Sequence, residues 1–473
     1  MADFKEILRH GANYLVANLA TKALAFISIP VYTRLLTTND FGIVNVFLGV
    51  SGILSSLLTL CCDQAVSRYY FDKHDDEDFK KFVGTSSIIA TIVFILNSLI
   101  LLSLSGWISR LTGLNLILVY LLIPYTLINI IGLTYEQIYT VLRQSKRIAI
   151  SSLLRAYIGF TLAIILIYLF KDDKYLAQVL GLISAGIIMI FIWIKGILKY
   201  FTLIFDKKYL RYILKFSVPL IPYALSGVII EQFGKIAIGT SLSISQAGFY
   251  SLALTISGLV GIVTTVTHQA WAPYYFEYMN SKDYKGHDSD IKRIFAITLI
   301  AAMGISTFGN EIGLVLASKS FTSSLYLIPI FVYGFVFHQF AYVYMRNFSF
   351  VHKTFYSSLV VITAGIVNVV LNIFVIPKFG EVGAAISFVI SYLSMAIFAW
   401  IASRFIIKCY STPIIKLIMP LLLYVLFNSP VFFIYLIDDF YLQIVVKIIL
   451  VIGFILAIFW RDKNFIISLI KKA

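Results

Sequence analysis

Two ammonium groups sit where an apolar stretch should have none. Lys22 lies in the middle of Gly11 to Thr33 (GANYLVANLATKALAFISIPVYT), and Lys235 follows Glu231 in VIIEQFGKIAIG, residues 228–239. A lysine at mid-membrane depth costs roughly 2.5 to 3.5 kcal/mol on insertion scales, so each must face protein or water. At helical spacing Tyr14, Asn18 and Lys22 share one face, with Thr21 and Ala25 beside it. Two readings stand for each lysine. Lys22 pairs with a neighbouring helix, or it looks into a cavity. Glu231 and Lys235, at i and i+4 with the acid first, neutralise each other along the helix; alternatively an anionic ligand competes for Lys235 while Glu231 takes up a proton.

The other ionisable residues at membrane depth are few. Arg155 lies about two turns into an apolar window, where it either lines the same cavity or snorkels to the surface. Lys447 can snorkel likewise, and Glu311 falls near the end of its span. His338 lies within a span and His268 at the end of another; a packed imidazole and a proton relay are the alternatives for His338. The balance at depth is cationic, which favours an anionic cargo. No GxxxxGK[ST] loop, HExxH or Gly-x-Ser-x-Gly elbow occurs, so neither ATP hydrolysis nor those hydrolase chemistries are encoded. The three cysteines, Cys61, Cys62 and Cys409, form no CxxC, so neither a disulfide framework nor a metal site is expected. The acidic run Asp72 to Asp78 (DKHDDED) lacks EF-hand spacing and reads as a solvated loop.

The elements that hold these residues are membrane helices. With 60% hydrophobic and only 13% charged residues, the chain cannot hide its apolar surface in a water-soluble core. The net charge of +15 is spread between apolar spans rather than gathered for nucleic acid. Apolar windows at 11–33, 41–62, 82–105, 114–134, 148–170, 176–198, 213–239, 247–268, 291–317, 325–345, 354–376, 382–403, 413–437 and 440–460 predict an all-α integral membrane protein of about 14 transmembrane helices. Lys22 interrupts the first window just before an Ala-Leu-Ala, so this helix is expected to stay in the mature protein. Lysine and arginine concentrate in alternate loops. Only Arg34, Arg110, Lys171, Lys174, Lys319 and Lys378 fall on the other side, and Lys22, Arg155, Lys235 and Lys447 fall within spans. That asymmetry puts both termini in the cytoplasm.

Sliding the chain by 206 positions lays Leu8 on Leu214, Gly42 on Gly248, Ser51-Gly52 on Ser257-Gly258 and Ser151-Ser152-Leu153 on Ser357-Ser358-Leu359. One register held this far predicts two homologous six-helix bundles, residues 1–212 and 213–412, related by a pseudo-two-fold along the membrane normal. Residues 413–473 add two helices without a counterpart and a basic cytoplasmic tail. Two bundles around one cavity is the geometry of alternating access.

The stretches IPVYTRLLTTNDFGIVNVFLGVSGIL (Ile29 to Leu54), DQAVSRYYFD (Asp63 to Asp72) and VNVVLNIFVIPKFGEVGAAISFVISY (Val367 to Tyr392) resemble bacterial polysaccharide transporters of the multidrug/oligosaccharidyl-lipid/polysaccharide exporter superfamily. In the last, Asn372, Pro377, Gly380 and Gly383-Ala384-Ala385 resemble that family's eleventh and twelfth helices. The resemblance implies a flippase of the O-antigen or capsule repeat-unit type, an inner-membrane protein that moves an undecaprenyl-pyrophosphate-linked oligosaccharide to the periplasmic leaflet. In that family basic residues of helices one, two, seven and eight often line the lumen. Lys22 and Lys235 fit this pattern, whereas the second helix here has no charge between Phe41 and Cys62.

On that reading Lys22 and Lys235 meet the diphosphate, with Arg155 as a further cavity cation. Tyr14, Asn18, Gln232 and Tyr223 bind sugars, and Glu231 is the coupling candidate. Arg34 and Arg68 stand at opposite mouths, to recruit or release the headgroup or simply as interfacial anchors. No cofactor is expected beyond a coupling ion, H+ or Na+; the lipid-linked oligosaccharide, membrane lipid and a polysaccharide polymerase and ligase are the expected partners. A multidrug/cation antiporter of the same superfamily is the alternative, which would want acidic cavity residues. A membrane glycosyltransferase or polymerase would need a long periplasmic loop with catalytic carboxylates or arginines, and no outer loop is long enough. The protein is therefore expected not to be an enzyme.

Overall fold

The computed structural model describes residues 24, 26–58 and 61–461. These form helices throughout, and among the described residues there is no β-strand. In chain order the α-helices are α1 (26–35), α2 (Thr38–Leu58), α3 (Cys62–Tyr69), α4 (Asp76–Ser103), α5 (Ser105–Thr112), α6 (Leu116–Val141), α7 (Ser145–Leu169), α8 (Lys174–Ile197), α9 (Lys207–Ser217) and α10 (Ile221–Ser241). They continue with α11 (Ile244–Ser281), α12 (Tyr284–Leu316), α13 (Ile328–Phe350), α14 (Phe355–Ile401), α15 (Ile415–Asn428) and α16 (Phe440–Arg461). Among the described residues 11 helical stretches are long and apolar enough to cross a membrane. The protein is an all-α, multi-pass membrane protein. Ile92, Ile95, Leu96 and Leu99 of α4 stand 48%, 51%, 55% and 56% exposed, the outward apolar surface that lipid covers.

Helix α14 shows how the sequence ends one crossing and begins the next. At 47 residues it would reach about 70 Å, more than twice the hydrocarbon thickness. Its backbone breaks at Gly380 (φ 58°, ψ −140°), three residues after Pro377. Only glycine holds that conformation cheaply. Beyond the break Gly383 backs onto the carbonyl of Val375. Asn368 Nδ2 then donates to Ser391 Oγ (3.1 Å) across the two legs. The predicted windows 354–376 and 382–403 are these legs.

The chain divides into two compact units, the first ending at Gly248 and the second beginning at Phe249. The sequence repeat suggested a boundary at 212/213 instead; by packing, α10 belongs with the first unit, where it lies along α2. In that unit α7 packs on α8, and α8 on α6. Gly132 lies against the Trp193 ring, and Gly196 against Tyr135 and Tyr139. Side chains at these glycines would push the helices apart. At one end of the α2 crossing, a Cβ on Gly248 would meet Thr38 O at 2.5 Å and Gly42 N at 3.0 Å.

In the second unit α13 packs on α14 and α12 on α13, with α15 and α16 against α12 and each other. The last two helices are tied down by polar contacts that hydropathy alone hides. Lys447 Nζ bonds Glu311 Oε1 at 2.5 Å, with the lysine side chain 4% exposed. This corrects the snorkelling reading of Lys447: a buried ammonium is held at depth by a carboxylate from α12. Nearer the start of α12, Asp288 accepts from Thr412 Oγ1 (2.8 Å), Tyr410 OH (2.7 Å) and Lys416 Nζ (2.5 Å). The Tyr284 and Tyr410 rings stack beside it at 3.9 Å.

Candidate functional site

Helix α10 positions Tyr223, Glu231, Gln232 and Lys235. Gln232 and Lys235 are three residues apart, which puts them on neighbouring turns of one face. Lys235 Nζ donates to Gln232 Oε1 at 3.0 Å, and both side chains are half-buried. The pair lies where α10 crosses α2. Gly52 meets Val228 and the Gln232 side chain, and a Cβ on Gly49 would come within 3.5 Å of Gln232 Oε1. Two glycines one turn apart therefore leave a trough in α2 that the carboxamide fills. The immediate partner of the ammonium is an uncharged carboxamide, with Glu231 acting on it electrostatically from a neighbouring turn. Both a carboxamide and a carboxylate of α10 thus act on this ammonium.

Tyr14, Asn18 and Lys22 lie outside the described residues. Arg155 has a different setting from Lys235. Its guanidinium bonds Asn129 Oδ1 and lies 5.4 Å from the centre of the Trp193 ring, whose Nε1 donates to Ser151 Oγ at 2.7 Å. These groups come from α6, α7 and α8. Arg155 is thus engaged inside the packed helices rather than snorkelling out, because a fixed carboxamide and an aromatic face satisfy it there. Arg34 bends back to Pro30 O (2.7 Å) on α1. Arg68 pairs with Asp72 at 3.4 Å. Arg155, Arg34 and Arg68 stand on other helices, whereas Tyr223, Glu231, Gln232 and Lys235 share α10.

A cavity of about 210 Å³ opens in the first unit between α4, α6 and α8. Phe94, Leu127, Ile130 and Ile194 line it with the hydroxyls of Ser87, Thr91 and Thr134, and none of the predicted site residues does. In the second unit His338 packs between Tyr342 (4.4 Å) and Tyr392 (4.6 Å), the packed alternative of its two readings. Asn372, singled out in the sequence only for its family resemblance, has a buried amide partner there: its Nδ2 donates to Asn368 O (2.8 Å) and Oδ1 (3.0 Å). The signal was present as two asparagines four residues apart within an apolar span, a spacing that stacks them on one helix face.

Comparison with known proteins decides the family. The family model described as "Polysaccharide biosynthesis protein" matches residues 7–279, more than half of the chain. The chain belongs to the polysaccharide biosynthesis protein family. A relative from Haemophilus influenzae, described as "Lsg locus putative protein 1", is 22% identical over 292 residues, covering 59% of this chain and 68% of the relative. In fold the chain is similar to a lipid II flippase, MurJ, in an inward closed conformation: TM-score 0.70 and 16% identity, over 95% of this chain and 99% of that one. It is also similar to an inward-facing multidrug resistance MATE family transporter of the MOP superfamily: TM-score 0.60 and 18% identity, over 82% and 94%. This polysaccharide biosynthesis protein therefore has the fold of membrane transporters.

Proposed function

We propose that this protein is a flippase rather than an enzyme, and that it carries an undecaprenyl-pyrophosphate-linked oligosaccharide, an O-antigen or capsule repeat unit, from the cytoplasmic to the periplasmic leaflet by alternating access. The observation that carries the reading is the half-buried Lys235, bonded to Gln232 over the Gly49–Gly52 trough of α2, in a chain of the polysaccharide biosynthesis family. A diphosphate cannot cross hydrocarbon bare, and sugar hydroxyls lose water partners there. Lys235 with Lys22 binds the diphosphate, Gln232, Tyr223, Tyr14 and Asn18 bind sugars, and the lipid tail stays in the bilayer. Arg155 adds positive field from within the first unit, and Arg34 and Arg68 serve the two mouths. Glu231 takes up the coupling proton or sodium ion. The protein works in the bacterial inner membrane with both termini in the cytoplasm, handing its product to a polymerase and ligase.

The test is complementation of a deletion strain, reading surface polysaccharide by lectin binding and protein level by immunoblot. Lys235→Ala or Lys22→Ala is expected to abolish export at normal protein level, and Lys235→Arg to retain part of it. Wild-type export in both alanine variants rejects the site. The second reading, multidrug/cation antiport, draws on the likeness to the MATE transporter fold. It requires resistance to cationic drugs on expression, and the ammonium of Lys235 opposes it by repelling a cationic cargo.

A further inference from the structure

Helix α9 turns a row of cations outward from a fixed shelf. Its exposed positions are Lys207, Lys208, Arg211, Leu214 and Lys215, followed by Val218 just past its end. These recur at helical spacing and form one stripe, four cations with Leu214 and Val218 at 41% and 47% exposure. The segment before it adds Leu203 and Phe205, 75% and 50% exposed. This is an amphipathic face with its apolar and basic parts side by side.

The shelf is fastened, so its exposure is built in. Thr202 N donates to Lys80 O (3.2 Å), and Thr85 Oγ1 donates to Ile204 O (2.9 Å) and accepts from Asp206 N (3.3 Å). The opposite face of α9 buries Tyr209, Ile213 and Ser217. Tyr209 OH donates to Asp78 Oδ1 and Tyr212 OH to Asp72 Oδ2, both at 2.6 Å, while Ser217 Oγ donates to Cys61 O at 3.1 Å. The neighbouring acids are occupied elsewhere. Asp72 pairs with Arg68, Asp76 with Lys73 and Glu77 with Lys81, and Asp78 accepts from the hydroxyls of Tyr69 and Tyr209. Among the described residues Lys207, Lys208, Arg211 and Lys215 form no ion pair.

Position selects the occupant. Together α9 and α10 make a helical stretch of 35 residues, about 50 Å long against a hydrocarbon core of about 30 Å. With α10 in the membrane, α9 falls in the headgroup layer. We infer that the outer face of α9, with Leu203 and Phe205, is a binding surface for anionic phospholipid headgroups: the four cations take the phosphates and the apolar side chains enter the acyl boundary.

The test uses the full chain in nanodiscs of equal phosphatidylcholine and phosphatidylglycerol, extracted for native mass spectrometry of the retained lipid. Wild type is expected to retain phosphatidylglycerol in excess. K207Q/K208Q/R211Q/K215Q lowers that excess roughly tenfold, the pair K208Q/R211Q gives an intermediate loss, and high salt lowers it further. The control K282Q/K285Q, exposed in the second unit, leaves the excess unchanged. Wild-type retention by the quadruple variant overturns the proposal, as does an equal loss in the control. Displacement by inorganic pyrophosphate at concentrations where orthophosphate has no effect overturns it too, since it marks a soluble-diphosphate site. No oligosaccharide or transport enters this assay, so its outcome is separate from that of the flippase reading.

Discussion

At the scale of single residues the protein uses buried charge in three ways, and each behaves differently on mutation. Lys447 is buried and paired with Glu311, so Lys447→Met leaves a carboxylate without its partner inside the second unit. A loss of about 3–5 kcal/mol is expected, read as a lowered midpoint of thermal unfolding in detergent, and Lys447→Met with Glu311→Gln recovers most of it. Lys235 bonds the carboxamide of Gln232, so under the proposed function Lys235→Met is expected to remove export with little change in unfolding midpoint. Asp63 begins α3, beyond the α2 span, and burial pushes its carboxyl above the usual carboxylate range. The native state therefore holds its proton at pH values where the unfolded chain has lost it. Stability contributed by this proton is present below the ordinary aspartate range and is lost as pH rises through the raised native value. Asp63→Asn is expected to raise the unfolding midpoint above that window and to leave it unchanged at low pH.

At the scale of elements, hydropathy made the crossings legible because bilayer thickness fixes their length. The windows 354–376 and 382–403 bracket the Gly380 break within four residues on either side, since proline and glycine announce it in the sequence. Gly380→Ala forces a Cβ into a conformation that side chains avoid, at a cost of about 1–3 kcal/mol. Reduced membrane yield and an earlier melt are the measurements, with Phe379→Ala beside it as the silent control. What the sequence hid was partnership. Nothing in the isolated windows around Arg155 or Lys447 names Asn129, Trp193 or Glu311 as their partners, because those come from distant helices that only packing brings near. The Lys235–Gln232 pair was closer to legible, being local to one helix. Its receptor, the Gly49–Gly52 trough, was not.

At the scale of the whole molecule, α11 is one helix of 38 residues, about 57 Å, so its two ends emerge on opposite sides of the membrane. In a cysteine-free background, Ser243→Cys and Lys282→Cys are expected to react with a membrane-impermeant maleimide from opposite faces in intact cells and inverted vesicles. Labelling of both from one face would mean that the topology drawn from loop charge is wrong. The prediction bears on the proposed flippase function, which requires a site that faces each side in turn.

Gly42 and Gly248 stand 206 positions apart, the offset at which the sequence matches itself, and in the first unit they touch. No larger residue on one side can be answered by a smaller one on the other, because both are already glycine. A methyl group added at Gly42 would meet the carbonyl of Ile244, and one at Gly248 the carbonyl of Thr38, backbone in both cases rather than a side chain that could swing aside, so the close approach of α2 and α11 tolerates growth at neither position.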